Sequence, residues 1–370
     1  MRIHSASGSV YDYFGFFRRG LIFQVTLRCP LECAHCIVDS GPLRTEEAST
    51  ERAVQWLEDI GRDGQVKVVA LTGGEPFLNL GRLRALLAAA ERHGLKISIV
   101  TSCSWATDPD RALRLLRDLP PIANVTLSAD KYHLDYVPLV QVRHAAEAAL
   151  ALGIEVGAFL CLENEADDFP RLFRATLGEE LHAKLRVETR HVHVAGRAAR
   201  VASIARAVER VPFHELPSQG CEAAAAPAIL PDGRVMACCG GTMADPERWP
   251  ALTIGNLNRE SIGEILRRAN RHRLVHALRL LGPKALADIA QEDAGETLFR
   301  RRYERHNICD ICRDLCTNPQ IVARLEAYLD RPEVAAGIAS WRLLRYGEET
   351  PPDAEAACVT TPAETRCTSP

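Results

Sequence analysis

Nine of the 13 cysteines in this 370-residue chain fall into three groups: Cys29, Cys33 and Cys36; Cys221, Cys238 and Cys239; Cys309, Cys312 and Cys316. Thiolates are soft ligands for iron and zinc. Grouping of this kind suits ligand sets, whereas core packing would scatter the residues. The first group has C-x3-C-x2-C spacing and directly follows the strand-like run Leu21–Leu27. A zinc site calls for a fourth local Cys or His. An iron–sulfur cluster on three protein thiolates leaves one iron open to another ligand. On this spacing alone a zinc knuckle and buried structural cysteines remain alternatives.

The elements that would position these groups follow from hydrophobic patterning. Strand signals lie at Leu21–Leu27, Val66–Leu71, Lys96–Thr101, Asn124–Ser128, Ile154–Leu160 and Leu185–Thr189. They are short, rich in Val, Ile and Leu, and read as lacking polar alternation, which suits parallel strands covered by helices. Amphipathic segments lie between them, with Ala53, Val54, Leu57 and Ile60 on one apolar face and Leu83, Leu86, Leu87 and Ala90 on another. Gly94 is a C-cap candidate, and Asp108-Pro109 reads as an N-cap followed by a first-turn proline. Repeated strand–helix units build an open sheet or a barrel, and chemistry then collects at the C-terminal strand ends. Cys29, Gly73, Thr101 and Ser128 all lie at or just past such ends.

The alternation stops after Arg190. His191–Gln219 reads as an Ala- and Arg-rich connection, in which His191 and His193 alternate as on a surface strand face, with a two-His metal site as the alternative. Ala228–Cys239 reads as a hairpin turning at Pro231-Asp232-Gly233. Helices are expected over Ser261–Asn270, on to about Gly282, again around Glu296–Arg305, at Pro319–Leu329, and in a shorter piece near Val334–Leu344. The tail from about 347 to 370 is rich in Pro, Thr, Ala and Glu and is expected to be disordered, with Cys358 and Cys367 outside any ligand set. Cys161, within an apolar run, reads as core packing, and Cys103 as a passive residue with a functional role as the alternative.

Composition narrows the function classes. A net charge of -3 gives no reason to expect a nucleic-acid partner. The basic spots Arg267-Arg268 and Arg300-Arg301-Arg302 read as solvated helix faces. No apolar run approaches the roughly 18 residues that span a bilayer, and residues 1–20 show no secretory signal. A cytoplasmic protein without a membrane partner is the expectation, and in a reducing compartment clustered cysteines serve metals or catalysis.

The first cysteine motif, with His35 before its last cysteine, resembles that of the radical S-adenosylmethionine (SAM) superfamily. Thr72-Gly73-Gly74-Glu75-Pro76 at the second strand end is similar to that superfamily's GGEP motif, and Ser128-Ala129-Asp130 to its ribose-contacting Ser-x-Asp. The resemblance implies a partial (β/α)6 barrel over residues 21–190 after a 1–20 extension. It implies a [4Fe-4S] cluster on Cys29, Cys33 and Cys36, with SAM chelating the open iron. The motif residues 72–76, Ser128 and Asp130 would hold SAM, with Glu75 on its amino group, and His35 would shield or orient the cluster. An electron from the cluster would cleave SAM to a 5'-deoxyadenosyl radical that takes hydrogen from the substrate. One departure stands out: relatives have Asn-Gly after the third strand, and this chain has Thr101-Ser102-Cys103-Ser104.

Cys221-x11-Gly233-x4-Cys238 and Ile254-Gly255-Asn256-Leu257 resemble the opening of SPASM and Twitch extensions, which carry auxiliary clusters. After the 191–219 connection, a small cysteine-rich domain of that kind is expected over 220–346. The later set, Cys309-x2-Cys312-x3-Cys316, is short of a full SPASM domain, which implies one auxiliary [4Fe-4S] cluster on Cys221, Cys238 and two of Cys309, Cys312 and Cys316. Structural zinc is the alternative there. Cys239 fits no ligand spacing and is a candidate hydrogen donor of the kind used by radical peptide epimerases. Tyr132 and His133, next to the ribose motif, are candidate substrate contacts or a loop capping the next helix. The foremost functional reading is modification of a ribosomally made peptide by crosslinking or epimerisation, fed by an external donor such as flavodoxin or ferredoxin. The alternatives are a radical SAM dehydrogenase of a sugar or aminocyclitol, and a non-enzymatic iron–sulfur or zinc protein.

Overall fold

The computed structural model describes residues 9–11, 17 and 19–349. Six parallel strands, β1 (Gly20–Thr26), β2 (Val68–Gly73), β3 (Lys96–Thr101), β4 (Asn124–Ala129), β5 (Glu155–Leu162) and β6 (Arg186–His191), run side by side in chain order. Helices return the chain between them, as parallel pairing requires. The helix Thr50–Asp63 buries Ala53, Trp56, Leu57 and Ile60, starts at a Ser49 cap and stops at Gly64 in the left-handed conformation. Asp108 caps the helix Pro109–Arg117 as the sequence indicates. The result is the expected partial α/β barrel.

The cysteine-rich part is not a detached sheet. After β7 (Arg210–Pro212), the hairpin of β8 (Ala228–Ile229) and β9 (Arg234–Met236) joins the exposed edge of the barrel sheet, with Ile22 opposite Ala228 and Phe23 opposite Ile229. β10 (Thr253–Asn256) continues it, giving one nine-stranded sheet. The hairpin turn falls at Gly233, whose φ of 87° suits glycine. β11 (Arg302–Glu304) pairs with β7 apart from this sheet.

Four expectations change. Glu296–Arg305 is not helical: the helix Gly282–Ala294 ends at left-handed Gly295, the Gln291 amide oxygen takes the Leu298 and Phe299 N–H groups, and β11 follows. Arg301 is no solvated helix face, because its guanidinium pairs with Asp310 and Asp314. The last helix is longer than its apolar pattern suggests, Pro332–Tyr346, because Pro332 opens it and Gly347 closes it. Glu348, assigned to the tail, accepts from the buried Arg279 at 2.6 and 2.9 Å and from the Phe17 N–H. Cys358 and Cys367 lie outside the described residues. No helix among those described is long and apolar enough to cross a membrane.

Candidate metal centre

The loop after β1 carries the first three cysteines and is held on three sides. Its ends close on each other through Cys29 N–H to the Gly41 carbonyl (3.1 Å) and Leu27 N–H to the Glu46 carbonyl (2.8 Å). The Gly73-Gly74 turn packs directly on it. A Cβ on Gly74 would sit 1.9 Å from the Arg28 carbonyl oxygen, and Gly73 has a φ of 135°. The Gly74 and Glu75 N–H groups donate to the Thr26 and Arg28 carbonyls at 2.7 and 3.0 Å. These glycines are therefore required by the approach of two backbone segments. The third side is Gly196-Arg197, which sequence reasoning missed inside the connection. Arg197 donates to the Cys33 and Ser40 carbonyls, its N–H donates to the Cys36 carbonyl, and a Cβ on Gly196 would meet the Ile37 carbonyl at 2.1 Å. The signal was present as a lone glycine beside an arginine. The Cys36 sulfur accepts the Ser40 N–H at 3.3 Å.

Glu75 is turned inward and almost fully buried. Its carboxylate takes four donors: Phe77 N–H and Thr101 Oγ1 on one oxygen, Ser102 N–H and Oγ on the other, at 2.6 to 3.1 Å. Burial pushes its pKa up and these donors oppose that. These four donors occupy the lone-pair sites of the carboxylate. Ser102, the departure from the Asn-Gly pattern, supplies two of the four donors. Thr101 passes the network to the Trp105 indole at 2.9 Å, and Trp105 stacks on Phe77. Cys103 is fully buried beside this turn with a φ of 65°.

Asp130 gathers the imidazoles. His133 Nδ1 lies 2.9 Å and His35 Nε2 3.3 Å from the same carboxylate oxygen. Burial would raise the Asp130 pKa, but the two imidazoles outweigh it and hold the carboxyl well below the ordinary range. His35 stacks on Tyr132, whose hydroxyl donates to Glu163 at 2.9 Å. Tyr132 and His133 are thus built into the Asp130 turn, whose carboxylate takes both of their N–H groups. With His35 donating from Nε2, its Nδ1 is left as a buried acceptor without a protein partner. A nucleoside bearing amino and hydroxyl groups fits such an atom. Ser128 sits opposite Phe159 on the neighbouring strand. Thr72 ends β2, and Pro76 opens the short turn Pro76–Leu78.

The second thiol set also converges. Cys309, Cys312 and Cys316 lie on the helix Ile308–Cys316, which starts at an Asn307 cap. Spacings of three and four residues put them on one helix side. Cys312 and Cys316 are 3.8 Å apart, and Cys221 is within electrostatic reach of Cys238 and Cys309. Cys238 accepts or donates to Thr242 Oγ1 at 3.3 Å. Burial pushes the Cys309 thiol up to about 12 and Cys239 up to about 11.

Spacing separates zinc from a cluster. Zn–S bonds of about 2.3 Å in a tetrahedron put sulfurs about 3.8 Å apart, whereas a cubane spreads its thiolates further. Among the described residues, only His35, Asp130 and Cys161 form a group of three whose ligand atoms all lie within 4.8 Å of one another. Among the described residues neither cysteine set brings three sulfurs within 4.8 Å of one another, while the Cys312–Cys316 pair, at 3.8 Å, stands at the zinc spacing. Cys161 is half-buried and packs against the core, and its sulfur also lies beside Asp130 and His35.

Residues 23–163 match the Radical SAM superfamily, and residues 221–317 match SPASM, an iron–sulfur cluster-binding domain. YydG of Bacillus subtilis (strain 168), whose name assigns it provisionally to peptide biosynthesis, is 20% identical over 331 residues, 85% of this chain and 97% of its own length. The PqqA peptide cyclase of Granulibacter bethesdensis is 34% identical over 86 residues, 22% of each chain. A solved structure of BtrN in complex with AdoMet and 2-DOIA is 12% identical with a TM-score of 0.39, and covers 79% of this chain and 98% of its own.

Proposed function

We infer that this chain, a radical SAM enzyme with a C-terminal SPASM domain, modifies a ribosomally made peptide by crosslinking or epimerisation. The observation that carries the reading is the likeness to YydG, which spans both cysteine-bearing domains and 97% of that protein. Bound in the site, the cluster and SAM supply a 5'-deoxyadenosyl radical. The chain's own contribution is position. Arg197 and the Gly73-Gly74 turn fix the cysteine loop. Asp130, kept ionised, orients His35. Cys29, Cys33 and Cys36 are assigned to the first [4Fe-4S] cluster, and Cys221 and Cys238 with two of Cys309, Cys312 and Cys316 to an auxiliary one. The electron comes from a low-potential carrier of flavodoxin or ferredoxin type. Cys239, beside Cys238, is assigned as the thiol that returns hydrogen to the peptide.

The test is anaerobic reconstitution followed by SAM, a strong reductant and any short peptide found encoded beside this chain's gene. A crosslink appears as the loss of two hydrogens, and an epimerised residue as a solvent deuterium gained in D2O. 5'-Deoxyadenosine formation with an unchanged, unlabelled peptide would overturn the peptide reading while leaving the radical chemistry intact.

A further inference from the structure

Cys161 belongs to none of the three cysteine groups, yet the fold delivers it to the radical site. On β5, Val156, Ala158 and Leu160 are buried and face the covering helices. Alternation puts Gly157, Phe159 and Cys161 on the opposite face. There a Cβ on Gly157 would meet the Tyr11 hydroxyl, and the Arg190 guanidinium lies over the Phe159 ring. Cys161 is opposite Arg190 on β6. On its other side its sulfur closes to within 4.8 Å of both His35 and Asp130. His35 comes from the cysteine loop and Asp130 from the ribose motif, so this thiol stands where cluster loop and nucleoside meet. The Arg190 charge reaches both Cys161 and Cys239. Cys103, by contrast, is sealed behind the Glu75 turn.

We propose that the Cys161 thiol is a hydrogen-atom relay between the SAM-derived radical and the substrate. In the first step its S–H bond breaks, a C5'–H bond forms on 5'-deoxyadenosine, and the unpaired electron moves to sulfur. In the second step the thiyl sulfur takes a hydrogen atom from a substrate C–H bond. S–H is restored, and the radical is left on carbon. The two steps sum to direct abstraction, so no oxidant or reductant is needed beyond the one that cleaves SAM. The first step is downhill because S–H is weaker than a primary C–H. The second is close to balanced for a peptide Cα–H, whose radical is stabilised by the flanking amides. A relay must hold its hydrogen at neutral pH, and burial pushes the Cys161 thiol up, away from thiolate. With Cys239 as the returning donor, abstraction and return would use different thiols.

The test needs no peptide, so it stands apart from the peptide reading. Reconstituted enzyme in D2O receives SAM and dithionite alone, and the 5'-deoxyadenosine formed is weighed by mass spectrometry. Of the exchangeable groups only a thiol gives up its hydrogen readily as an atom, since O–D and N–D bonds are too strong. We expect one solvent deuterium in the product of the wild type and of Cys239→Ala, and loss of that label in Cys161→Ala and Cys161→Ser. No label in the wild type, or full label in the Cys161 variants, overturns the proposal. A second readout works without turnover: Cys161→Trp, which fills the space beside His35 and Asp130, should weaken SAM binding by calorimetry several-fold, while Cys161→Ser leaves it unchanged. Unchanged SAM binding in Cys161→Trp removes Cys161 from the nucleoside site, and this arm decides if the Cys161 variants form no 5'-deoxyadenosine.

Discussion

Ser102→Ala tests what Glu75 is for. The Ser102 hydroxyl donates to the Glu75 carboxylate at 2.6 Å, in a place where neither residue is open to water. A hydrogen bond to a charged group is worth roughly 1.5–3 kcal/mol, and a buried partner left short of a donor keeps the full loss. The Ser102 N–H stays, so one of four donors goes and three remain. We expect a loss near the middle of that range, about 2 kcal/mol, read as a fall in the apparent melting temperature of the anaerobic holoenzyme. SAM binding, measured by calorimetry, should weaken, because the Glu75 turn seats the glycines against Arg28 and Cys29. The opposite reasoning gives the opposite sign. If the carboxylate itself swings out to hold the SAM ammonium, removing a competing donor should free it. A variant of unchanged melting temperature that binds SAM as well as or better than the wild type would refute the positioning role.

Arg197→Lys should lose iron from the first cluster, because a single ammonium cannot span both the Cys33 and Ser40 carbonyls as a guanidinium fork does; iron and sulfide per chain, with the auxiliary signal as internal standard, check this. Gly74→Ala should abolish loading of that cluster, since its Cβ would meet backbone that cannot move aside; full iron content would contradict it. Loaded wild type should hold about eight iron and eight sulfide per chain if both sets carry [4Fe-4S] clusters, and stoichiometric zinc would sink the auxiliary assignment. His276 gives a pH dependence. It is buried, its Nε2 faces the Asn270 carbonyl, and burial, with Arg342 and Arg279 adding to it, depresses its pKa well below the ordinary value. The unfolded chain then binds a proton near pH 6.5 that the folded chain refuses, so this contribution is present above that pH and falls away below it. The loss reaches about 1.4 kcal/mol by pH 5.5, and His276→Phe should show a flatter melting profile between pH 7.5 and 5.5; an identical slope would contradict it.

The barrel was legible because its signals are local. Strand–helix alternation, Asp108 capping and the glycine stops each act within a few residues, and β1 to β6 appear in order. The cysteine groups were legible for the same reason. What escaped depends on contacts between distant segments. Arg197 reaches 164 residues back to Cys33, and nothing in its neighbourhood says so. Glu75 looked free because three of its four donors come from Thr101 and Ser102 at the end of the next strand. Residues 296–305 looked helical until the Gln291 side chain claimed their N–H groups. The hairpin's place on the edge of β1 also had no sequence mark, although an open parallel edge invites a partner strand.

One signal was readable and was misjudged. The strands were read as uniformly apolar, but β4 alternates Asn124, Thr126 and Ser128 with Val125, Leu127 and Ala129, and β6 alternates Arg186, Glu188 and Arg190 with Val187 and Thr189. Helices cover one face of this sheet; the other carries Arg186 over Tyr11 and Arg190 paired with Glu188. Charges are not sealed in a dry interior without cost, so a period-2 charged face in a parallel strand marks an open side. Cys161 lies on that face by the same count of two from Gly157 and Phe159, opposite Arg190. Its parity puts it on the strand face that points away from the helices covering Val156, Ala158 and Leu160. The open face has two guanidinium groups and one carboxylate on β6, with Phe159 and Cys161 next to them on β5 and Ser128 one strand further on β4. Such a wall suits a chain of carbonyl acceptors better than a compact apolar ligand, and it puts a thiol within the row that an extended substrate would cross.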